Sequence, residues 1–444
     1  MGSAAGQGIS ERPIFTGSFN FVYGLIQGLC GKFGHMGHKR RRTILLSISA
    51  GMAVLLAGVG VAGYTLVSHF NANIKQDDIT SLLGNQPVDT HPQAENILVM
   101  GSDSREGLSA AYGSDLTTDQ SDTMMIIHVP ADRKWAEVMS IPRDSWVNIP
   151  ACEMGDGQLS SPTQFKINEA FAIGNLDGNK TELGVACTVK TLEQDTGIDI
   201  NHFIVVNFTG FENMVSAIGG VPECNPTPID DPLSGLVLSA GHHVLTPAQA
   251  LGYVRARYTL GDGSDLERIG RQQAFMSSLI NQVESKYYNP LAIYRFLDAA
   301  TSSLTVDSQL GGITGLYNLW QSLRGIPTKD IAFFTLPNYP RSEVVPSDTA
   351  NVLWTQPEDD EIFASFSNDV PASPTLFGTS PQPSLQVAGS APATGKAGGH
   401  TSAGGAKPAA TPSARTSVTP GATTTPSPSV SLQVRTANQN ICSG

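Results

Sequence analysis

Between residues 96 and 142 the chain alternates short apolar runs with polar breaks. NILVMG (96–101), TMMIIHVP (123–130) and WAEVMSIP (135–142) are too short for helices and rich in Val, Ile and Met, so they predict strands. ADRK links the last two as a short hairpin loop. The period then lengthens. FKINEAFAIG (165–174) and LGVACTVKTLEQDTG (183–197) predict helices, the second closed by Gly197. HFIVVNF (202–208) predicts a strand leading into the helix TGFENMVSAIGG (209–220), whose Phe211, Met214, Val215 and Ile218 fall at helical spacing. After a Pro-rich loop (222–232), TPAQALGYVRAR (246–257) opens with a Thr cap and a first-turn Pro. Three further helices are predicted at 265–285, 289–304 and 310–325, and DIAFFTLP (330–337) adds a strand. Strands interleaved with helices, a hairpin included, predict an α/β fold, a mixed-sheet α-β-α sandwich over 92–345.

The flanks have other textures. Residues 43–67 carry no charge and are long enough to span a bilayer, with HKRRR (38–42) directly before them. A run this long exceeds a signal-peptide core and predicts an uncleaved transmembrane helix. Basic residues stay on the cytoplasmic side, so 1–42 is expected to be a cytoplasmic basic arm, with 68–91 an extracytoplasmic linker and the domain outside the cell. Residues 346–444 are expected to be a flexible Pro/Ser/Thr/Ala/Gly-rich tail. From 378 on there is no aromatic residue, Asp or Glu, and such a segment cannot bury enough apolar surface to offset its ordering entropy.

The net charge of −12 hides an uneven distribution. Residues 1–68 hold six Lys or Arg and one acid, which leaves the remainder at −17. A body this acidic excludes nucleic acid as a partner, because that binding needs a basic face to neutralise phosphates. Four cysteines, Cys152, Cys187, Cys224 and Cys442, follow the apolar run, and an even number outside the cell suits disulfides. Absence of a CxxC pair or clustered His–Cys spacing argues against zinc.

Charge gathers at predicted strand ends, where ligands of open α/β sheets collect. GSDSR (101–105) follows one strand, SDTMM (121–125) begins another, and PRD (142–144) ends a third. Alone, Asp103 or Asp122 reads as a helix cap or a turn. Together they are two carboxylates at the ends of strands able to be neighbours, a donor set for a hard cation such as Mg²⁺. YVRARYTLGDGSDLERIGRQQ (253–273) then places Arg255, Arg257, Arg268 and Arg271 in one stretch. Solvated faces usually mix Lys and Glu. Four arginines favour bidentate phosphate recognition, so a metal with four forked cations describes a pyrophosphate site.

These stretches, with KINEAFAIG (166–174) and TVKTLEQDTGIDINHFIVVNFTGFENMVSAIGGV (188–221), resemble the LytR-CpsA-Psr family of Gram-positive bacteria, in order over 96–273. The cysteines and the tail are similar to its actinobacterial branch. The resemblance implies a membrane-anchored phosphotransferase that moves a glycopolymer from a polyprenyl-pyrophosphate carrier to peptidoglycan, with a phosphodiester formed at an N-acetylmuramic acid hydroxyl. It implies Asp103 and Asp122 as ligands of Mg²⁺ (or Mn²⁺). It implies Arg143, Arg255, Arg257, Arg268, Arg271 and Gln272 as pyrophosphate contacts, with Asp265 among them. Asp103 is the first choice to orient or deprotonate the attacking hydroxyl, and Arg105 is expected to assist. Apolar faces at 183–197, 209–220 and 275–325 would enclose the prenyl chain. Gln120 departs from the family's usual Arg, and an insertion at 106–119 separates the two aspartates. Two other readings fit the same residues: a polyprenyl-pyrophosphate phosphatase, and a non-enzymatic envelope regulator or wall-attachment protein. The expected disulfides are Cys152–Cys187, across a short loop, and Cys224–Cys442, which would pin the chain end to the body.

Overall fold

In a computed structural model of the chain, the described residues are 38–102, 120–155, 157–176, 180–257, 265–286, 288–372 and 434–437. The chain divides into two units, Met1–His69 and Phe70–Gly444. The first contains most of helix α1 (His38–Asn73), in which Leu45–Asn73 is long and apolar enough to cross a membrane.

The second unit is built on one eight-stranded sheet. Its order is β1 (Lys75–Asp77), β12 (Leu304–Asp307), β7 (His202–Asn207), β2 (Glu95–Ser102), β3 (Ser121–Val129), β4 (Ala136–Ile141), β13 (Ile331–Thr335) and β16 (Val434–Thr436). Pairings β1–β12, β7–β2 and β4–β13 are parallel, and the other four are antiparallel, so the sheet is mixed as expected. Strand side chains alternate in direction, and here both faces are covered. Leu98, Met100, Met124 and Ile126 point into one core with α3 (Asn168–Gly174), α4 (Thr181–Thr196) and α10 (Glu358–Ser367). Ile97, Val99, Met125 and Ile127 point to the other side, against α7 (Asp265–Lys286) and α9 (Gly312–Leu323). A third core joins α5 (Phe208–Ala217), α6 (Pro247–Arg255) and the small strands β8 (Val221–Asn225), β9 (Ile229–Asp231), β10 (Leu236–Leu238) and β11 (Gly241–Leu245) to Phe275 of α7.

Four expectations need correction. The helix placed at 165–174 begins only at Asn168, because Thr163–Lys166 is strand β6, paired with β5 (Trp146–Ile149). The Pro-rich loop at 222–232 contains β8 and β9. In β8, Pro222 sits opposite Val244 of β11 in a two-stranded ribbon, where a missing ladder donor is tolerated at an edge. The linker placed at 68–91 is structured, since α1 runs to Asn73 and β1 adds to the sheet edge. The segment directly after 346, placed in the flexible tail, is ordered structure: β15 (Val352–Trp354) pairs with β14 (Asn338–Pro340), and α10 buries Ile362, Phe363 and Phe366. The aromatic residues of 346–366 supply the apolar area that the chain beyond 378 lacks. Residues 434–436 return to the sheet as β16, and the Ala437 N–H donates to the Ile331 carbonyl at 2.9 Å.

Cys152 and Cys187 are bonded, as expected. Cys224 is also in a disulfide, and Cys442, its expected partner, lies outside the described residues.

Candidate functional site

The site grows from the ends of three central strands of the sheet. Ser102, the last residue of β2, lies opposite Ser121, the first of β3, and beside Asn207, the last of β7. The two positions expected to carry metal-binding aspartates therefore directly follow cross-strand neighbours. The ladder is irregular between Gly101 and Ser102, and a Cβ on Gly101 would stand 3.2 Å from that of Thr123, so Gly lets the strands close up there. Asn207 caps α5 by accepting from the Gly210 N–H at 2.8 Å. Thr246 and Gln249 form a capping box that fixes the start of α6, which ends at Arg255.

These elements enclose a cavity of about 310 Å³. One end is lined by Asp122, Arg143, Arg255, Arg257, Arg268 and Gln272. The other is walled by Phe208, Phe211, Met214, Val254, Phe275 and Leu279. The cationic end is organised around Asp265. Its Oδ1 lies 2.7 Å from Arg268 Nη2, 3.6 Å from Arg143 Nε and 3.7 Å from Arg257 Nη2. Arg143 also donates to Asp122 Oδ1 at 2.5 Å, and Arg268 Nη2 donates to the Asp122 carbonyl at 2.9 Å. Gln272 ties the floor together, donating to Thr123 Oγ1 at 3.0 Å and to the Val254 carbonyl at 3.1 Å. The Arg255 guanidinium lies over the Phe208 ring, 4.6 Å from its centroid, where the polar and apolar ends meet.

Burial sets the electrostatics. It raises the Asp265 carboxyl above its ordinary value despite the opposing pull of Arg268, Arg143 and Arg257. It lowers Arg268, with Asp265 resisting. At Arg143 burial also acts downward, but Asp122, Asp144 and Asp265 together carry the guanidinium above its ordinary value. The Nε atoms of Arg143 and Arg268 are buried without a hydrogen-bond partner among the described residues. Arg143, Arg255, Arg257 and Arg268 themselves line the cavity, and guanidinium groups so placed are suited to an anion.

Not every expected residue reaches the cavity. Arg271 donates to the Ala256 carbonyl, between Arg255 and Arg257, and does not line the space. Asp265 stands behind the arginines. Asp103, Arg105, Cys442 and the insertion at 106–119 lie outside the described residues. Among the described residues no group of three or more His, Cys, Asp or Glu is arranged to hold a metal. The Asp122 side chain is 36% exposed, and Oδ1 accepts from Arg143.

Asp231 is a site residue that the sequence reading missed. Its carboxylate accepts from the Arg257 N–H at 2.5 Å and from the N–H groups of Leu233 and Ser234 at 2.9 and 3.2 Å. It thereby fixes the backbone that presents Arg257. The turn signal DDPLSG (230–235) was visible, but the contact to a residue 26 positions away was not.

Residues 61–364 match the profile of the LytR_cpsA_psr family. The chain belongs to the LytR-CpsA-Psr family. It is 32% identical over 342 residues to the probable cell wall biosynthesis protein LcpB of Corynebacterium glutamicum, a match covering 74% of each chain. It is 30% identical over 302 residues to the polyisoprenyl-teichoic acid–peptidoglycan teichoic acid transferase TagT of Bacillus subtilis, covering 65% of this chain and 85% of that one. Among solved structures it is similar to a LytR-Csp2A-Psr enzyme from Actinomyces oris, with 21% identity, a TM-score of 0.48, and coverage of 66% of this chain and 96% of that one.

Gln120 is engaged with α3. It donates to Glu169 Oε1 at 2.7 Å and accepts from Asn168 Nδ2 at 3.2 Å, and it does not line the cavity.

Proposed function

We propose that this LytR-CpsA-Psr protein transfers a glycopolymer from a polyprenyl-pyrophosphate carrier to a hydroxyl of N-acetylmuramic acid in peptidoglycan. One observation carries the reading: a single cavity joins a cluster of four arginines to a wall of Phe, Met, Val and Leu. A diphosphate esterified to a long isoprenoid has the same division of polarity. The name of TagT describes a transfer of this kind, and that of LcpB a part in cell wall biosynthesis.

In the reaction, the acceptor oxygen attacks the phosphorus that bears the glycopolymer. The P–O bond to the prenyl phosphate breaks, and the hydroxyl proton passes to a base, a role we assign to Asp103. Positioning and charge neutralisation do most of the work in such a displacement. Arg143, Arg255, Arg257 and Arg268 hold the diphosphate and stabilise charge on the departing phosphate, with Arg105 assisting. Asp265, Arg271 and Gln272 support the cluster from behind and below. Asp122, together with Asp103, would hold Mg²⁺ (or Mn²⁺), which when bound neutralises further charge on the diphosphate. The basic collar at 38–42 puts the N-terminus in the cytoplasm and the domain outside, beside both substrates.

The test incubates the purified chain with a lipid-linked glycopolymer, Mg²⁺ and peptidoglycan, and identifies the linkage by mass spectrometry. A new phosphodiester with stoichiometric prenyl phosphate supports the reading. Phosphate release at a rate indifferent to peptidoglycan makes the protein a phosphatase, and no turnover of any donor favours a non-enzymatic role.

A further inference from the structure

Two helices carry a surface unlike the rest of this acidic domain. α9, GITGLYNLWQSL, contains no charged residue, and only its Gly312 is fully buried. Leu316, Leu319 and Leu323 pack inward, while Tyr317 is 53% exposed beside Trp320, with ring centroids 5.8 Å apart. On α8 (Pro290–Thr301), Leu291 and Tyr294 are 57% and 38% exposed. The exposed charges next to these rings are basic: Arg295, and Arg324, whose guanidinium lies over the Trp320 ring at 5.1 Å. The acid on α8, Asp298, is turned towards Asn73, whose Nδ2 donates to it at 3.4 Å.

The same two helices receive the residues that end the apolar run. The Phe70 ring packs on Tyr294 at 5.6 Å, and Asn71 Oδ1 accepts from the Ile313 N–H at the start of α9 at 2.8 Å. Val67, the last residue of the continuous apolar run, is only three positions before Phe70. The aromatic face therefore meets the last residues of the membrane-compatible helix Leu45–Asn73.

We infer that the α8–α9 face rests on the bilayer, in the headgroup region of the leaflet at which the span emerges. Tyr and Trp favour that zone, with an apolar body inside and a polar tip in water, and basic side chains there meet anionic headgroups. The face is covalently continuous with the span, and its lack of acidic charge contrasts with a body of −17. α8 also turns Phe296 towards the cluster containing Phe211 and Phe275, both of which line the cavity. One helix thus borders the cavity's apolar wall and carries the lipid-facing rings.

The test uses the full chain reconstituted into phosphatidylcholine–phosphatidylglycerol vesicles, with and without lipid brominated at the upper acyl carbons. Of the four tryptophans, only Trp320 lies on α8 or α9, and α1 has none. Brominated lipid should remove the share of emission that Trp320 contributes. Trp320→Phe, with unchanged circular dichroism, should abolish that loss. Tyr317→Glu, which puts a charge on α9, should reduce it several-fold. Equal emission in both kinds of vesicle, as a protein partner covering the face would give, overturns the inference. So does quenching that persists unchanged in Trp320→Phe.

Discussion

Arg268 and Asp265, one turn apart on α7, meet at 2.7 Å with side chains only 5% and 12% exposed. Removing one member of a buried pair strands the other charge, at a cost of about 3–5 kcal/mol. Arg143 and Arg257 remain near Asp265, so Arg268→Met should fall at the lower end of that range. Thermal unfolding measures the loss, and Arg268→Met combined with Asp265→Asn should recover much of it. A single variant as stable as the parent would mean that the pair does not hold α7 in place.

Much of this cluster was legible in the sequence. Four arginines at 255, 257, 268 and 271, a Thr cap on one helix and an Asp opening the next, already pointed to a cluster of cations between two helices. Local spacing could not separate their roles. Arg255 and Arg268 reach the cavity while Arg271 turns to a backbone carbonyl, and that depends on how α6 crosses α7. Asp231 escaped notice for the same reason, since its partner is set by the β9–β10 turn folding back on α6. The short strand β16 was missed because it is stabilised by a partner far along the chain, β13, rather than by its own pattern.

Arg255→Ala should weaken binding of a prenyl pyrophosphate by about 1.5–3 kcal/mol, the range for a hydrogen bond to a charged group. Its guanidinium lies against the Phe208 ring and lines the cavity, so the loss should appear in affinity with little change in stability. A titration giving parental affinity would return Arg255 to the role of a surface cation.

Glu137 on β4 is fully buried and accepts from the Ala372 N–H at 3.1 Å. Burial pushes its carboxyl up to about 7 from 4.5, with the Ala372 N–H opposing. The unfolded chain therefore loses this proton first as pH rises. The stabilisation is full below about 4.5, and roughly 3 kcal/mol is lost by the time pH passes about 7. Glu137→Gln keeps an acceptor for Ala372 and should remove the slope. His128, lowered to about 4 chiefly by burial, acts in the opposite sense, losing stability as pH falls from 6.5. The informative quantity is the difference between variant and parent in unfolding experiments at pH 5 and 7.5. A difference that does not grow with pH would rule out Glu137 as its source.

The Cys152–Cys187 bridge closes a loop across a sequence separation of 35 and ties the segment after β5 to α4. By chain entropy its removal should cost about 3–4 kcal/mol, depending on the model used. Cys152→Ser should lower the denaturation midpoint, and reductant, which also opens the Cys224 bridge, should lower the parent at least as far. Parental stability in both would show that the loop is already held by its own contacts, such as the Cys152 N–H donating to Ser160 Oγ at 3.0 Å.

Arg271 should behave differently from Arg255. Its guanidinium donates to the Ala256 carbonyl and is lowered below its ordinary value by burial, with Tyr253, Glu267 and Asp231 opposing. Ala256 sits between Arg255 and Arg257, so on the proposed function Arg271 would act on the diphosphate through the backbone that presents them. Arg271→Met would leave that buried carbonyl without this donor, at a cost of about 1–3 kcal/mol in stability. Affinity for the prenyl pyrophosphate should fall as well, because Arg255 and Arg257 lose their fixed spacing. Arg271→Lys keeps a donor and should restore part of both. Measuring unfolding and binding on the same preparations separates this positioning role from direct contact. A loss of affinity in Arg271→Met with parental stability, unrelieved by Lys, would instead place Arg271 on the ligand itself.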